Sequence, residues 1–267
     1  MTTAAARVLP RLPLGGGRSW LLVNRNFVAA RRYWLVFASG FFEPLLYLLG
    51  IGVGVGTLVG KVEFHGHGVS YEAFVAPALL AVSAMNGAVY ESTINVFFKL
   101  KYAKTYDSVL STPLEARDVA LGEIAWALIR GTVYALAFVL VMLALGLVHS
   151  PWALLALPAS LLVGFAFAAV GLAAVTLMRS WADMALVDAV VLPLFLLSAT
   201  FAPVSAYPDA ARYVLPATPL YHGVELLREL TLGAVGLGSC AHVAYLAAMG
   251  LVGLAVAGRR LERLLLP

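Results

Sequence analysis

Six long apolar stretches, separated by short polar connections, constrain the fold of this chain more than any other feature. They lie at about residues 34–59, 73–98, 122–148, 152–178, 184–204 and 236–257. A helix needs about 20 mostly apolar residues to cross a bilayer, and lipid offers no partner for an unpaired backbone N–H or C=O group. The pattern therefore predicts an all-α polytopic membrane protein with six transmembrane helices.

The composition supports the same class of fold. Hydrophobic residues make up 62% of the 267 residues and charged residues only 12%, whereas soluble domains have roughly 45–50% and 25%. The net charge of +4 does not indicate nucleic-acid binding, because the cations flank the apolar stretches. A soluble fold and a nucleic-acid partner are both excluded, and membrane lipid is the expected surrounding.

The positions of the lysines and arginines indicate the orientation of the chain. Fourteen lie in the termini and the alternate loops that share one side, three lie on the other side, and Arg130 lies inside a span. Because cytoplasmic loops carry the excess of positive charge, both termini are predicted to be cytoplasmic. Usage rich in Ala, Val, Gly and Arg favours a bacterial cytoplasmic membrane.

The flanking segments complete the predicted architecture. Residues 1–17 are predicted to be a flexible cytoplasmic tail, and residues 18–33 an amphipathic interfacial helix or a plain extension of the first span. Residues 34–257 form the six-span domain, and residues 258–267 form a cytoplasmic tail. Residues 205–235 are too polar for a lipid-facing helix and too apolar for a free loop, so they are predicted to form outer re-entrant helices before the last span.

The glycine-rich tract GVGVGTLVGK superficially resembles a phosphate-binding loop. Val55 replaces the first required glycine, and Val62 stands where a Ser or Thr would bind magnesium. His65 and His67 lack further ligands and are better explained as part of a solvated loop. The chain is therefore predicted to have no catalytic residue, no cofactor and no metal of its own.

Four ionisable residues lie within or near the ends of the predicted spans: Glu43, Glu91, Arg130 and Asp188. Each ionised group costs at least about 2.5–3.5 kcal/mol at the bilayer centre, so it should face protein or water. They are the candidate functional residues inside the membrane. The alternative is that they form structural pairs or reach the headgroups.

The connection between the second and third spans, residues 99–118, is long for a helical hairpin. Its apolar residues recur at a spacing of three to four, which predicts one face of a short helix. Pro113 ends that helix, because the residue before a proline is pushed out of the helical region. This element can dock into a groove of another protein or lie on the membrane surface.

Three segments resemble the permease subunits of type-2 ABC exporters, and among them those of lipo-oligosaccharide (nodulation-factor) and daunorubicin-type drug exporters. They are TYDSVLSTPLEARDVALGEIAWA at 105–127, LFLLSATFAPVSAYP at 194–208 and LPATPLYHGVELLRELTLG at 215–233. The resemblance covers nearly the whole chain. It implies pairing with a second permease chain, identical or a close paralogue, and with two copies of a separate ATPase subunit that binds ATP and Mg.

The resemblance also implies roles for individual residues. In such permeases the element before the first span and the loop after the second transmit the motion of the ATPase. The corresponding residues here are Arg25, Arg31, Tyr106, Asp107, Leu110, Thr112, Pro113, Leu114, Arg117 and Asp118. The match at 194–233 implies an outer gate shaped by Pro203, Pro208, Pro219, Tyr221, His222 and Glu225.

The function implied by the resemblance is ATP-driven export of an amphiphilic substrate. Because no aromatic-rich stripe marks a pore for a long polysaccharide, the favoured cargo is a lipid-linked glycan, a lipid or a hydrophobic drug. One alternative is a secondary transporter or channel, which needs converging ionisable groups and often an inverted repeat. The other is a membrane-embedded enzyme acting on lipid, which needs a clustered acid, base or metal set.

Overall fold

The computed structural model describes residues 18–31, 42 and 44–265. The elements in chain order are α1 (Ser19–Ala30), α2 (Pro44–Val59), β1 (Lys61–Phe64), β2 (His67–Ser70), α3 (Tyr71–Tyr102), α4 (Thr105–Leu110), α5 (Ala116–Ala144), α6 (Pro151–Val175), α7 (Met184–Leu196), α8 (Asp209–Val214), α9 (Pro219–Leu232) and α10 (Leu237–Leu265). Single turns of 3-10 helix lie at Trp181–Asp183, Val204–Ala206 and Leu215–Ala217. The predicted tail at 1–17 and part of the first predicted span lie outside the described residues.

Four of these helices, α3, α5, α6 and α10, are long and apolar enough to cross a bilayer. They confirm the prediction of an all-α polytopic membrane protein. The predicted count of six spans is not confirmed. The described part of the first predicted span is the shorter helix α2, and α7, in the fifth, has 13 residues.

The fifth predicted span stops being helical at Leu196 rather than at residue 204. Pro193 lies inside the helix and has no N–H group to donate, and Ala199 adopts a left-handed conformation with φ of 56°. The chain then enters the protein interior, where Ser198 and Thr200 are fully buried. Hydropathy alone does not distinguish such a buried irregular segment from the continuation of a helix.

The amphipathic helix predicted over residues 18–33 is present as α1. Its Leu22 is buried, and α1 packs against α5. The approach is close at Gly122, where an added Cβ would lie 2.8 Å from the Cβ of Leu22. On the opposite face, Trp20 and Phe27 are 62% and 53% exposed. Exposed aromatic residues on an amphipathic helix suit the membrane interface.

A β-hairpin links α2 to α3, where the sequence predicts a solvated loop. Strands β1 and β2 pair antiparallel, with Phe64 opposite His67. The two turn residues His65 and Gly66 have φ of 49° and 79°, which is typical of a type I′ hairpin turn. Within the described residues, no group of three His, Cys, Asp or Glu side chains is placed to hold a metal ion.

Helix α6 lies at the centre of the bundle, where it packs against α3, α5 and α10. It crosses α10 closely at Gly253, where an added Cβ would lie 2.9 Å from the backbone carbon of Ala169. Small residues permit such close approach of helices within membranes. The long helices are therefore held in register by backbone proximity as well as by apolar side chains.

The segment between α7 and α10 consists of short helices, as predicted for residues 205–235. The longest of them, α9, packs against α3, α6 and α10. Its Leu220, Val224 and Leu227 are fully buried. Because protein covers α9, its charged residues do not have to face lipid.

Candidate functional site

A buried carboxylate near the start of α5 joins four elements at one end of the molecule. Glu123 is 3% exposed. Its carboxylate accepts hydrogen bonds from Asn26 Nδ2 of α1 at 3.1 Å, Lys99 Nζ of α3 at 2.7 Å and Tyr106 Oη of α4 at 3.0 Å. Lys99 also donates to Asn26 Oδ1 at 3.2 Å. These four residues are called the Glu123 cluster, and this end of the molecule the α1 end.

The Glu123 cluster satisfies a charge that is otherwise costly to bury. Lys99 forms an ion pair with Glu123, and two neutral donors complete the hydrogen bonds of the carboxylate. Burial, and then the adjacent Glu123 carboxylate, raise the pKa of Tyr106 well above its usual value. The Tyr106 hydroxyl therefore stays protonated and acts as a donor. Moving one element alone would leave buried groups without partners.

A sharp backbone turn positions Tyr106. Lys104, between α3 and α4, adopts a left-handed conformation with φ of 44°, which costs a non-glycine residue roughly 1–3 kcal/mol. The turn folds α4 back so that Tyr106 becomes fully buried beside Glu123. The contacts of Tyr106 offset the strain at Lys104.

Helix α1 is also bonded to the segment that precedes α5. Arg18 Nη1 donates to the carbonyl oxygen of Pro113 at 2.9 Å, and Ser19 Oγ donates to Asp118 Oδ1 at 3.3 Å. Asp118 also accepts from the backbone N–H of Glu115 at 3.0 Å, which completes a capping box at the start of α5. Residues 18–31 and 99–123 are thus bonded to one another. Together they are called the α1–α4 unit, after the two short helices α1 and α4 that they contain.

The predicted coupling residues all lie in the α1–α4 unit. Tyr106, Pro113 and Asp118 make the contacts just described. Of the others, the exposed ones are Arg25, Arg31, Asp107, Thr112 and Arg117, and the half-buried ones are Leu110 and Leu114. Their role in transmitting motion stays a prediction.

Sequence reasoning missed three members of the Glu123 cluster: Asn26, Lys99 and Glu123. The available signal was an acidic residue at the beginning of an apolar stretch, in the segment GEIAWA. Its partners lie between 17 and 97 positions away in the chain. Only the tertiary structure brings them together.

A second set of charges lies in the middle of α3 and α5. Glu91 of α3 forms an ion pair with Arg130 of α5. Glu91 also accepts from Asn95 Nδ2 at 2.7 Å, and Arg130 Nε donates to Tyr134 Oη at 3.2 Å. Glu91 and Arg130, two of the four predicted intramembrane residues, are therefore in contact. They form a pair, which is one of the alternatives that the sequence leaves open.

The other two predicted intramembrane residues are not part of this pair. Asp188 lies on the exposed face of α7 and accepts a hydrogen bond from Tyr90 Oη at 3.0 Å. Glu43 lies outside the described residues. The four residues therefore do not form one charge cluster in the part of the chain that the structure describes.

At the opposite end of the molecule, called the hairpin end, a buried arginine connects three segments. Arg228 of α9 is fully buried. It donates to the carbonyl oxygens of Phe74 at 3.0 Å and Thr200 at 2.8 Å, and to Glu225 Oε1 at 3.0 Å. Its guanidinium lies 3.6 Å from the centre of the Phe74 ring, a cation–π contact that burial strengthens. Sequence reasoning identified Glu225 and missed Arg228 as its partner.

The other predicted gate residues lie around α9. His222 Nδ1 is 2.7 Å from His242 Nδ1 of α10, and the His222 ring stacks on Tyr245. Tyr221 contacts His222 edge-on. The three prolines precede or begin short helices: Pro203, Pro208 and Pro219. These residues share the hairpin end, and their role as a gate stays a prediction.

Long apolar helices that hold an ion pair between them, Glu91 with Arg130, define an integral membrane protein. The chain belongs to the ABC-2 type transporter family, whose sequence pattern matches residues 18–232. The matched region contains both the Glu123 cluster and Arg228. The chain is accordingly a transporter permease rather than an enzyme, and its family implies an ATP-binding partner.

Relatives called Nodulation protein J are similar over most of the chain. The protein from Rhizobium leguminosarum bv. viciae is 33% identical over 255 residues, which cover 93% of this chain and 97% of the relative. The protein from R. leguminosarum bv. trifolii is 34% identical over 232 residues, or 86% and 87%. The protein from Rhizobium meliloti (strain 1021) is 30% identical over 254 residues, or 94% and 95%. These relatives confirm the resemblance to permeases of the nodulation type.

Proposed function

We propose that this chain is half of the membrane pathway of an ATP-driven exporter that moves an amphiphilic molecule, with a lipid-linked glycan as the favoured substrate. Two copies, or one copy and a close paralogue, pair in the cytoplasmic membrane, and two separate ATPase subunits bind the α1 end. The resemblance to lipo-oligosaccharide exporters supports the class of substrate. The observation that carries the proposal is the Glu123 cluster, since it links a surface helix to two spanning helices.

The Glu123 cluster connects the protein surface to the spans through buried hydrogen bonds. Helix α4 exposes Asp107 and buries Tyr106. A force on the exposed face of α4 passes through Tyr106 to Glu123 of α5, and from there to α1 and α3. Because each buried partner loses a hydrogen bond if one element moves alone, the elements move together.

The proposed transport step follows from this connection. ATP binding draws the two ATPase subunits together and displaces the two α1–α4 units that rest on them. The displacement changes the angle between the permease halves and opens a path outward between them. In this scheme the ATPase subunits bind ATP and Mg and supply the work, and the permease converts it into movement of the spans.

The charge distribution supports a cytoplasmic location of the α1 end. Lys99, Lys101, Lys104 and Arg117 lie at the same end as α1, and cytoplasmic segments carry the excess of Lys and Arg. In a background in which Cys240, the single cysteine, is replaced by serine, we expect Arg212→Cys to react with an impermeant maleimide from outside intact cells. Lys104→Cys should react only after the membrane is permeabilised, and the reverse labelling would overturn this orientation.

The coupling role is tested by changing the exposed face of the α1–α4 unit. The chain is produced with the ATPase encoded beside its gene, purified through a tag on the permease and assayed for ATP hydrolysis in lipid. Wild-type permease should bring down the ATPase at one copy per permease. The double variant Asp107→Lys/Pro113→Ala should remain in the membrane and lose the stimulation of hydrolysis by substrate.

A matched control exists at the hairpin end. Pro151 and Asp209 are also an exposed proline and an exposed aspartate, and Pro151→Ala/Asp209→Lys makes the same chemical changes far from the proposed ATPase contact. This control should keep the stimulation. Equal stimulation in both double variants would remove the coupling role, and a permease purified without any ATPase would remove the exporter proposal.

A further inference from the structure

We propose that a cavity with one polar wall, halfway along α3 and α5, binds the hydroxyl- and amide-bearing part of the exported molecule, an inference that rests on the proposed function. The cavity has a volume of about 220 Å³ and is partly open, between α2, α3 and α5. Drug-sized pockets measure roughly 300–1,000 Å³, so this one takes a single polar group of a larger molecule. The rest of an amphiphilic substrate stays outside it.

One continuous face of α3 forms the main wall of the cavity. Ser83, Asn86, Gly87, Tyr90 and Glu91 line it, and their spacing of three and four residues places them above one another on the helix. At Glu91–Asn95 the helix changes from α to π geometry. Such widened turns are frequent at functional sites, and this one lies at the cavity.

The cavity lies at the depth where polar groups are most costly. Asn86 is midway along the 32 residues of α3, and Arg130 is midway along the 29 residues of α5. Hydrocarbon at the bilayer centre offers no hydrogen bonds, so polar and ionisable residues there mark pathways or binding sites. A polar wall at this depth serves a polar group that has to cross the membrane.

One acceptor in the wall has no partner among the residues that the structure describes. Asn86 Oδ1 is buried and makes no hydrogen bond to any residue that the structure describes. A buried acceptor without a partner is unfavourable and rare. Once the Asn86 amide turns towards the cavity, a hydroxyl or amide N–H of a ligand satisfies this oxygen.

The charges in the wall favour a neutral ligand. Among the described lining residues the charged ones are Glu91 and Arg130, and they form an ion pair with each other. The charges of these two residues therefore balance each other, and the described wall presents no excess of either sign to a charged ligand. Tyr47, Tyr90 and Tyr134 also line the cavity and add aromatic surface on which a sugar ring packs. Together these groups fit hydroxyls and amides, such as those of an acylated or alkylated sugar.

Gly87 offers a way to fill the cavity without disturbing the fold. A Cβ added at Gly87 would meet no atom within 4 Å, and the same holds for Gly131 of α5. Gly87 lines the cavity and Gly131 does not. The variant Gly87→Leu therefore occupies the space of the ligand, and Gly131→Leu adds the same side chain next to Arg130 as a matched control. Asn86→Leu removes the unpaired acceptor.

The probe is radiolabelled dodecyl maltoside, a neutral glycoside with a single alkyl chain. Dodecyltrimethylammonium and dodecyl phosphate have the same chain with a cationic or an anionic head group. The permease–ATPase complex is extracted with a styrene–maleic acid copolymer, so that no glycoside detergent occupies the cavity, and binding is measured below the micellar concentration. The neutral probe should bind at least about tenfold more tightly than either charged one.

The variants then test whether the probe occupies the cavity. Gly87→Leu and Asn86→Leu should weaken binding of dodecyl maltoside by about tenfold or more, while Gly131→Leu binds as the wild type does. Equal binding in all four proteins, or equally tight binding of a charged probe, would overturn the proposal. So would a Gly87→Leu permease that no longer pairs with a second permease chain, since the cavity would then be an interface between copies.

Failure of this inference is distinguishable from failure of the proposed function. Co-purification of the ATPase and hydrolysis of ATP without the probe report on the exporter, and both should be unchanged in the control variant Gly131→Leu. If the complex is active and Gly87→Leu binds the probe as the wild type does, only the proposal for the cavity is wrong. If the permease never associates with an ATPase, the exporter proposal is wrong, whatever the permease binds.

Discussion

The two ends of this molecule each contain a buried charged side chain that connects three or more segments, and they use it differently. At the α1 end, Glu123 is bonded by side chains, and its ionic partner Lys99 is 16% exposed. At the hairpin end, Arg228 is fully buried and donates to two backbone carbonyl oxygens as well as to Glu225. Glu123 therefore joins elements through their side chains, whereas Arg228 is bonded directly to the backbone.

This difference has a mechanical consequence. Bonds between long side chains tolerate small rotations of the elements they join, because the side chains adjust. Hydrogen bonds from a buried guanidinium to main-chain oxygens hold the backbone in place. When the backbone shifts, these bonds break and their contribution to stability is lost. We therefore interpret the Glu123 cluster as a transmitting joint and the Arg228 site as a static anchor. The anchor should matter more for stability, and the joint more for coupling.

The largest effect is expected at the anchor. Arg228→Met removes three hydrogen bonds and leaves Glu225 buried without its cation, so we expect a loss of about 3–5 kcal/mol of unfolding free energy. The measurement is an SDS titration of the purified permease in mixed micelles, followed by circular dichroism.

Two further variants at the hairpin end show whether stability is lost because a buried charge is left unpaired or simply because a cation is removed. Arg228→Met/Glu225→Met removes both charges and should regain part of the stability, because no buried charge is left unpaired. Arg212→Ala removes an exposed arginine that pairs with exposed Asp209 and donates to the backbone carbonyl oxygens of Tyr207 and Ser205. Because water replaces these partners at an exposed site, it should cost only about 1 kcal/mol. A similar loss in Arg228→Met and Arg212→Ala would show that Arg228 is no anchor.

A smaller stability effect but a larger functional one is expected at the joint. Glu123→Gln keeps the shape of the side chain and removes its charge, and Lys99, being partly exposed, can turn towards solvent. We expect a loss of about 2–3 kcal/mol, together with loss of substrate-stimulated ATP hydrolysis. Arg212→Ala serves as the comparison, since it removes an exposed charge at the hairpin end and should keep stimulation. Retained stimulation in Glu123→Gln would mean that the cluster is structural only.

Tyr106→Phe tests the link from α4 alone. It removes one hydroxyl from a fully buried site and leaves the ring in place, so the expected loss is about 1.5 kcal/mol. Combining it with Glu123→Gln in a double-mutant cycle should give a coupling energy of about 1 kcal/mol or more, because the two side chains are in direct contact. Additive effects would indicate that α4 is held by packing rather than by this hydrogen bond.

The same contrast explains how much of the molecule was predictable from its sequence. Long apolar runs predicted α3, α5, α6 and α10, because lipid requires helices and helices need a minimum length. The hairpin turn at His65 and Gly66 was missed, since its strands are short and lie between apolar runs. The end of α7 at Leu196 was missed because the following residues are apolar yet buried in an irregular conformation.

The candidate sites were predictable only in part, for a related reason. The family resemblance pointed to Tyr106 and Glu225, which are one member of each site and are themselves buried. Their buried partners Glu123 and Arg228 lie inside or beside apolar segments, where a single charge is easily taken as a boundary of a span. The identity of a partner across 97 positions, as for Asn26 and Glu123, depends on helix packing and cannot be deduced from local patterns.

The smallest expected effect is a dependence of the hairpin end on pH. Burial, and then the neighbouring His242, lower the pKa of His222 in α9 below its usual value of 6.5. The Nδ1 atoms of the two rings are 2.7 Å apart, so one must be an N–H donor and the other an acceptor. Protonation of both rings breaks this hydrogen bond and places two like charges together, although Glu229, 3.9 Å from His242 Nε2, partly compensates.

The direction of the effect follows from linkage between proton binding and folding. The unfolded chain binds a proton at His222 more readily than the folded one, so this contribution to stability is complete above about pH 6.5 and is lost as the pH falls through the lowered pKa of the folded state. The melting temperature should therefore decrease between about pH 7 and pH 5. His222→Phe keeps the ring that stacks on Tyr245 and should flatten this decrease, whereas His149→Phe should leave it unchanged. An identical pH profile in His222→Phe and the wild type would show that the anchor end has no titrating contact, and that the two ends differ only in how their buried charges are bonded.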